Sequence, residues 1–413
     1  MKIAFIDEDL SPRTGSRRFT YEVTRELLNM GHEVKILTAK MNTETCFREY
    51  LSMPIELVSK DSPHNWVNLR QVDTQTKKHA SLLDVQGNLR YHLRQASLIM
   101  EIGKRAEELK CDVAMLQYHG EHWLLPIFYY LRGPAGSVYL NVVPPMPRPR
   151  ALPFQELTLS RRFVDQALNF SQVGRWKVRS SSNLALILAP SNYLLELADK
   201  QGLLKHKKQA VVPLGVNHSR FHPTGEEEPF ALYLGRIHPH KSLELAIVAM
   251  KNVTSNVSLV IAGDIEEQFL FYKAKLISLA EKLKISDRVR IIHAPSDSQV
   301  VRLMQQCSVF LFPSTIDTFG LVALEAMACG KPVVACNRGG VPETVGNGGF
   351  LLEPDAEKWQ EAVSRLFSDS DLRKRMGNQA LERSKYFSWE NTAKRLIHAF
   401  GTLNSKSLQE IKN

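Results

Sequence analysis

Residues 310–335 read FLFPSTIDTFGLVALEAMACGKPVVA, and the fold prediction starts from this stretch. An apolar run ends at Pro313 and Ser314, and a short polar loop follows. The next run, LVALEAMAC, has the composition of a buried helix, and Gly330 and Pro332 are typical of a helix end. A further apolar run begins at Val333. This order predicts a β-α-β unit of a parallel sheet.

Similar apolar runs recur along the carboxyl-terminal half. They are FALYLGR (230–236), VSLVIAGD (257–264), RVRIIHAP (288–295), CSVFLFPS (307–314) and KPVVACN (331–337). Near-continuous Val, Ile and Leu within each run is typical of strands buried on both faces of a sheet. Helical patterns separate them, so these residues are predicted to form a doubly wound α/β domain.

The amino-terminal half repeats the alternation. Its predicted strands are KIAFI (2–6), HEVKILTA (32–39), DVAMLQ (112–117), GSVYLNVV (136–143) and LALILAPS (184–191). A chain of 413 residues suits two domains of about 200 residues each. We predict Rossmann-like domains over 1–205 and 206–388 that face each other across a cleft. A terminal helix over 389–413 is expected to pack back on the first domain.

Composition narrows the function classes. Hydrophobic residues make up 44% and charged residues 23% of the chain, and no apolar run approaches the ~20 residues of a membrane helix. The acidic start MKIAFIDEDL is unlike a secretion signal, which predicts a cytoplasmic protein. Five cysteines without a CxxC pair predict reduced thiols.

The net charge of +10 favours an anionic partner. Residues 148–179 contain seven Lys or Arg and two acids. This basic segment is either a solvated face or a patch for an anionic acceptor at the inner face of a membrane, and both interpretations stay open. No basic stripe interleaved with aromatic residues indicates a nucleic-acid partner.

Candidate ligand-binding residues follow the predicted strands. Arg236 and Lys241 come after the strand that ends at Gly235, where two cations can clamp a phosphate. The amides after Gly320 begin a helix, which is a second place for phosphate. Glu325 is the single charge of that helix and needs either a protein donor or ligand hydroxyls. Gly15 and Ser16, in the loop after the first strand, could give a further backbone surface facing the cleft.

These residues carry a resemblance. DTFGLVALEAMACGKPVVA (317–335), followed by GGVPETV (339–345), resembles the signature of retaining glycosyltransferases of family four, which have the GT-B fold. GRIHPHK (235–241) is similar to the Gly-Arg-x-x-x-x-Lys element of that family. Further similarities are LAPSNY (188–193), PLGVNHSRFHP (213–223) and FSWENTAKRL (387–396).

The resemblance implies transfer of a hexose from a UDP- or GDP-sugar, with retained anomeric configuration and no metal or other cofactor. The acceptor is a hydroxyl of a glycan, a lipid-linked molecule or a small molecule. The first domain would take the acceptor and the second the donor.

The resemblance also implies roles for single residues. Arg236 and Lys241 would hold the diphosphate, Glu325 the ribose and Asp317 the sugar hydroxyls. His119, in LQYHGEHW, would face the cleft. The remaining implied donor contacts are the base-bordering residues Ile292 and His293, the loop glycine Gly235, and the amides of Phe319, Gly320, Leu321 and Val322.

The chain departs from the family pattern at three places. The family motif is E-x7-E, but Asp317 stands in place of the first glutamate. Ser242 replaces the glycine that usually follows the lysine, and the linker reads Leu214-Gly215-Val216-Asn217. Rival hypotheses are a nucleotide-sugar epimerase or a phosphorylase on the same fold, against which the family-four run argues, and a non-catalytic protein that binds nucleotide sugars or polyanions.

Overall fold

The computed structural model describes residues 1–11, 14–58, 101–118, 135–140, 184–200 and 207–403. The described residues divide into two compact units. The first contains those among Met1–Ala189, Leu194–Val212 and Ala393–Asn413, and the second contains Pro190–Tyr193 and Pro213–Thr392. The domain boundaries and roles predicted from the sequence stay predictions.

The first unit contains a sheet of parallel strands in the order β3-β2-β1-β4-β5-β6-β7 among the residues described. The strands are β1 (Lys2–Asp9), β2 (Glu33–Lys40), β3 (Ile55–Leu57), β4 (Val113–Tyr118), β5 (Ala135–Leu140), β6 (Leu184–Ala189) and β7 (Lys208–Val211). Helix α1 (Gly15–Asn29) connects β1 to β2, residues 101–108 are helical, and α2 (Asn192–Lys200) follows β6. All five predicted strands are confirmed, and the short edge strands β3 and β7 were not predicted.

The second unit contains a parallel sheet in the order β10-β9-β8-β11-β12-β13. The strands are β8 (Phe230–Leu234), β9 (Ser258–Gly263), β10 (Val289–His293), β11 (Val309–Phe312), β12 (Val333–Cys336) and β13 (Gly349–Leu352). The first five are the predicted strands, and β13 was not predicted. The strand order runs outward from β8 and β11 in both directions, so the prediction of a doubly wound α/β fold is confirmed.

The helices of the second unit pack on both faces of this sheet. They are α3 (Leu243–Ala249), α4 (Leu270–Lys282), α5 (Asp297–Gln306), α6 (Leu321–Ala328), α7 (Val341–Val345), α8 (Ala356–Ser368) and α9 (Ser370–Ser384). Helix α10 (Trp389–Gly401) begins in the second unit and ends in the first.

Buried side chains explain this arrangement. Strands β8 and β11 are buried along their whole length. Alternate residues of the strands, such as Tyr233 and Leu311, join one apolar cluster with Ile247 of α3, Leu276 of α4 and Trp359 of α8. Helix α6 also buries most of its residues, which agrees with its apolar composition. Because the strands are parallel, the loops at their carboxyl ends emerge at one edge of the sheet.

All five cysteines are buried free thiols. None of the helices in the described ranges combines the length and the apolar character needed to cross a membrane.

Candidate functional site

The candidate site lies at the carboxyl edge of the six-stranded sheet. Strand β8 pairs with β11 on one side and with β9 on the other, so the strand order reverses here. In open α/β sheets ligands bind beyond the carboxyl ends of the strands at such a reversal point. The loop 235–241 after β8 and the loop 313–320 after β11 therefore lie side by side.

Lys241 and Asp317, 76 residues apart in the sequence, are in direct contact. The Nζ atom of Lys241 donates a hydrogen bond to Oδ2 of Asp317 over 3.0 Å, and both side chains are half-buried. The other carboxylate oxygen, Oδ1, accepts from the amides of Gly320 (2.8 Å) and Phe319 (3.2 Å). Burial alone would raise the pKa of Asp317. The charge of Lys241 and these hydrogen bonds outweigh burial, so the pKa of Asp317 is lowered.

The start of helix α6 presents backbone donors beside this pair. Gly320 precedes the helix with φ 87°, a conformation that favours glycine. Within the described ranges we find no acceptor for the amides of Leu321 and Val322, the first two helical residues. Such amides and the helix dipole favour an anion at this position.

Glu325 lies one turn further along α6 at a half-buried position. Helical side chains tilt toward the amino terminus of their helix, so the Glu325 carboxylate leans toward the same end of α6. The two acids of the opening stretch therefore occupy different environments. Asp317 belongs to the loop and Glu325 to the helix face.

Arg236 is the exposed cation of the site. Its side chain is 67% exposed, and its guanidinium lies 3.5 Å from the exposed carboxylate of Glu266. The backbone around it is fixed, because the hydroxyl of Tyr233 donates to the Arg236 carbonyl (3.0 Å) and the amide of Ile237 donates to the backbone carbonyl of Asp264 (2.8 Å). A fixed backbone with an exposed guanidinium, paired only with a surface carboxylate, suits a phosphate ligand because exposed ion pairs are weak.

The backbone conformation of Ser242 explains why the family pattern has glycine at this position. Ser242 has φ 53° and ψ 42°, in the left-handed region that favours glycine. Serine at this position therefore stores strain directly after Lys241, of about 1–2 kcal/mol.

Two glycine contacts hold the loops, and sequence reasoning missed their role. A Cβ atom at Gly263 would lie 1.8 Å from the carbonyl oxygen of Gly235, so the end of β9 touches the backbone of the loop 235–241. A Cβ atom at Gly340 would lie 2.1 Å from the carbonyl oxygen of Thr318. The available signals were the glycine that ends VSLVIAGD and the pair in GGVPETV.

Helix α7 supports the loop 313–320 through hydrogen bonds as well. The amide of Gly340 donates to the Asp317 carbonyl (2.9 Å), and the hydroxyl of buried Thr344 donates to the Phe319 carbonyl (2.6 Å). The hydroxyl of Ser191 also donates to the Thr318 carbonyl (2.7 Å). The position of Asp317 is thus set by backbone contacts that the sequence pattern does not reveal.

The remaining predicted residues are spread more widely. Ile292 is half-buried and His293 exposed at the end of β10, two strands from β8 and so about 10 Å away along the edge. Gly15 begins α1 in the first unit, and the Ser16 hydroxyl accepts from Arg17 (3.2 Å). His119 and the basic segment 148–179 lie outside the described residues. The roles predicted for all these residues stay predictions.

His238 lies between Arg236 and Lys241. Its Nδ1 accepts from the amide of His240 (3.0 Å), and its ring contacts Phe269 edge-on at 4.0 Å between centroids. Burial, followed by the charges of His240 and Arg236, lowers the pKa of His238 to about 4. His238 therefore supports the loop as a neutral hydrogen-bond acceptor at neutral pH. Across the described ranges, no group of three or more His, Cys, Asp or Glu side chains is arranged to hold a metal ion.

Comparison with known proteins agrees with this geometry. Residues 217–383 match the family model described as glycosyl transferases group 1. Among solved structures, Anabaena HepE in complex with UDP and glucose superimposes with a TM-score of 0.72 at 18% identity, covering 98% of this chain and 100% of that one. Sucrose-phosphate synthase from Thermosynechococcus elongatus has a TM-score of 0.70 at 18% identity, covering 98% and 99%. At this identity the likeness is one of fold, and the GT-B prediction is confirmed.

Two curated relatives are more similar in sequence. D-inositol 3-phosphate glycosyltransferase of Corynebacterium urealyticum is 33% identical over 50% of this chain and 55% of that protein. An uncharacterized glycosyltransferase of Methanocaldococcus jannaschii is 32% identical over 51% and 58%. The chain thus spans little more than half the length of these relatives.

The contact between Gly263 and Gly235 predicts a strong effect of a methyl group. We expect Gly263→Ala to lower the free energy of unfolding by about 2–3 kcal/mol or more, because the backbone of β9 or of the loop 235–241 must move. Urea denaturation measures this change. Gly401→Ala is the matched control, since a Cβ atom there meets nothing within 4 Å. Equal stabilities of the two variants would contradict the contact.

The pKa of His238 predicts a pH dependence. Because the pKa is lowered in the folded protein, the unfolded chain binds more protons between the ordinary value of 6.5 and about 4. The free energy of unfolding should therefore fall as the pH drops through this window. It should fall less steeply in His238→Asn, which keeps an acceptor for the His240 amide. Thermal melts across this pH range provide the measurement, and an unchanged slope in the variant would refute the assignment.

Proposed function

We propose that this protein is a retaining glycosyltransferase that moves a hexose from a UDP- or GDP-sugar to a hydroxyl of a glycan, lipid-linked or small-molecule acceptor. One observation carries the proposal. Arg236, Lys241 and the amides that begin α6 follow strands β8 and β11 at the reversal point of a parallel sheet, and a hydrogen bond joins Lys241 to Asp317 in the loop before α6. That sheet lies within the segment that matches the group 1 glycosyltransferase model.

The donor diphosphate binds between these groups. The guanidinium of Arg236 and the ammonium of Lys241 contact the phosphate oxygens, and the amides of Leu321 and Val322 donate to the phosphate nearer the sugar. As the bond between sugar and phosphate breaks, negative charge develops on the leaving diphosphate. Fixed cations and amides stabilise that charge more than they stabilise the bound donor, which accelerates transfer.

The nucleoside lies along the same edge of the sheet. Glu325 accepts hydrogen bonds from the ribose hydroxyls, and Ile292 and His293 border the base. The separation of about 10 Å between β8 and β10 suits a ribose and base that extend from the diphosphate. HepE was crystallised with UDP and with UDP-glucose, which favours a uridine nucleotide as the first donor to try. We leave the sugar hydroxyls unassigned here, because three protein donors already orient the Asp317 carboxylate, Lys241 on Oδ2 and two backbone amides on Oδ1.

Fewer observations bear on the identity of the acceptor. One of the two relatives is named as a D-inositol 3-phosphate glycosyltransferase. Inositol 3-phosphate is an anion, and the net charge of +10 suits an anionic acceptor. We extend the proposal to an anionic acceptor at the inner face of a membrane, contacted by residues 148–179 of a cytoplasmic protein. Retention of the anomeric configuration rests on the resemblance of residues 317–325 to the family signature.

A transfer assay separates this proposal from its rivals. The protein is incubated with UDP-glucose, GDP-mannose and candidate acceptors, and NMR of the products reports transfer, hydrolysis or epimerisation. Transfer with a retained anomer is expected. An epimerised nucleotide sugar would indicate the epimerase. Tight binding without transfer or hydrolysis would indicate the non-catalytic binder.

Removal of either cation should slow transfer strongly. We expect Arg236→Ala and Lys241→Ala each to lose about 2–4 kcal/mol of transition-state stabilisation, which lowers kcat/KM about 30- to 1,000-fold. Steady-state kinetics with the active donor provide the measurement.

The matched controls remove the same charges at the opposite edge of the sheet. Lys251 follows the far end of α3, Arg290 lies near the start of β10, and both are exposed. Lys251→Ala and Arg290→Ala should keep kcat/KM within about twofold of wild type, since distant surface charges interact weakly through water. Near-normal turnover in both site variants would refute the diphosphate clamp.

A further inference from the structure

Lys241 and Asp317 form an ion pair at the sheet edge that the surrounding protein partly buries and holds in place. The side chains are 19% and 21% exposed, so the pair is half-buried. An exposed lysine with four rotatable bonds samples many positions, and holding one of them costs conformational entropy. A fixed carboxylate at 3.0 Å removes much of that freedom before any ligand arrives.

The Asp317 carboxylate is itself fixed by the backbone. Its Oδ1 accepts from the amides of Phe319 and Gly320, as in an Asx turn, and the backbone carbonyl of Asp317 accepts from the Gly340 amide. This leaves Oδ2 directed at Lys241. The two oxygens therefore have separate tasks, one within the loop and one toward the lysine.

We propose that Asp317 is a positioning residue, which holds the Lys241 ammonium where the donor diphosphate binds and does not itself read the sugar. The inference rests on the proposed function and deepens it. An ammonium has three hydrogens. One is donated to Asp317, so two remain to donate to the phosphate.

Asp317→Asn separates the two tasks of the carboxylate. Asparagine forms Asx turns as aspartate does, so its side-chain oxygen can still accept from the Phe319 and Gly320 amides. Its NH2 group then faces Lys241, where two donors repel each other. Asp317→Glu keeps the charge and reaches the flexible lysine from a longer side chain.

Binding of a nucleoside diphosphate that lacks the sugar is the first test. By calorimetry with UDP and GDP, Asp317→Asn should weaken binding about tenfold, as expected for the loss of a charge-assisted contact. The same variant should weaken binding of the nucleotide sugar by the same factor. Asp317→Glu should recover part of the lost affinity. If Asp317→Asn weakens binding of the nucleotide sugar but not of the nucleoside diphosphate, Asp317 contacts the sugar and the proposal is overturned.

A double-variant comparison gives an independent result. In a Lys241→Ala background, Asp317→Asn should cause no further loss of diphosphate binding, because the group that it positions is gone. A full tenfold loss in that background would also overturn the proposal.

A measurement without ligand distinguishes this inference from the proposed function. Reductive methylation followed by peptide mass spectrometry reports how fast each lysine reacts. Lys241 should react several-fold faster in Asp317→Asn than in wild type, while exposed Lys251 reacts equally in both. An unchanged rate at Lys241 overturns the inference even if the protein binds nucleotides. If wild type binds no nucleotide, the proposed function fails while the methylation rates still decide what Asp317 does.

Discussion

The site depends on two places where backbone packs directly against backbone and leaves no room for a side chain. At Gly263 the end of β9 touches the carbonyl of Gly235, and at Gly340 the start of α7 touches the carbonyl of Thr318. Either contact leaves no room for a Cβ atom. The two loops beyond β8 and β11 are therefore held by their neighbours as well as by polar residues of their own, such as His238 and Asp317.

The electrostatics of the site follow from that packing. A loop fixed by its neighbours can present a carboxylate to a lysine, leave a guanidinium exposed, and keep the first amides of α6 directed outward. His238, whose pKa is lowered, lies between the two cations in the sequence, and the strained Ser242 directly follows Lys241. Local strain and shifted pKa values are common where a protein holds groups ready for a ligand. Both loops lie within residues 217–383, which match the group 1 glycosyltransferase model.

Much of the fold could be predicted from the sequence, because central strands of parallel sheets are near-continuous apolar runs. Edge strands such as β3 and β13 are short and only partly buried, so periodicity missed them. Arg236 and Lys241 could be found because they follow a strand. The contact of Lys241 with Asp317 could not be found, since it joins residues 76 positions apart through a pairing of β8 with β11. Asp317 was accordingly given the sugar hydroxyls by resemblance, whereas its carboxylate bonds to the protein itself.

The central claim is that the second unit recognises a nucleotide through its diphosphate. Calorimetry of the wild-type protein with UDP and with uridine, repeated with GDP and guanosine, tests this claim most directly. The account predicts that one diphosphate binds at least about a hundredfold more tightly than its nucleoside, since two cations and two amides contact the phosphates. Added salt should also weaken binding of the diphosphate far more than binding of the nucleoside. Equal affinity of nucleoside and diphosphate, or no binding of either diphosphate, would contradict it.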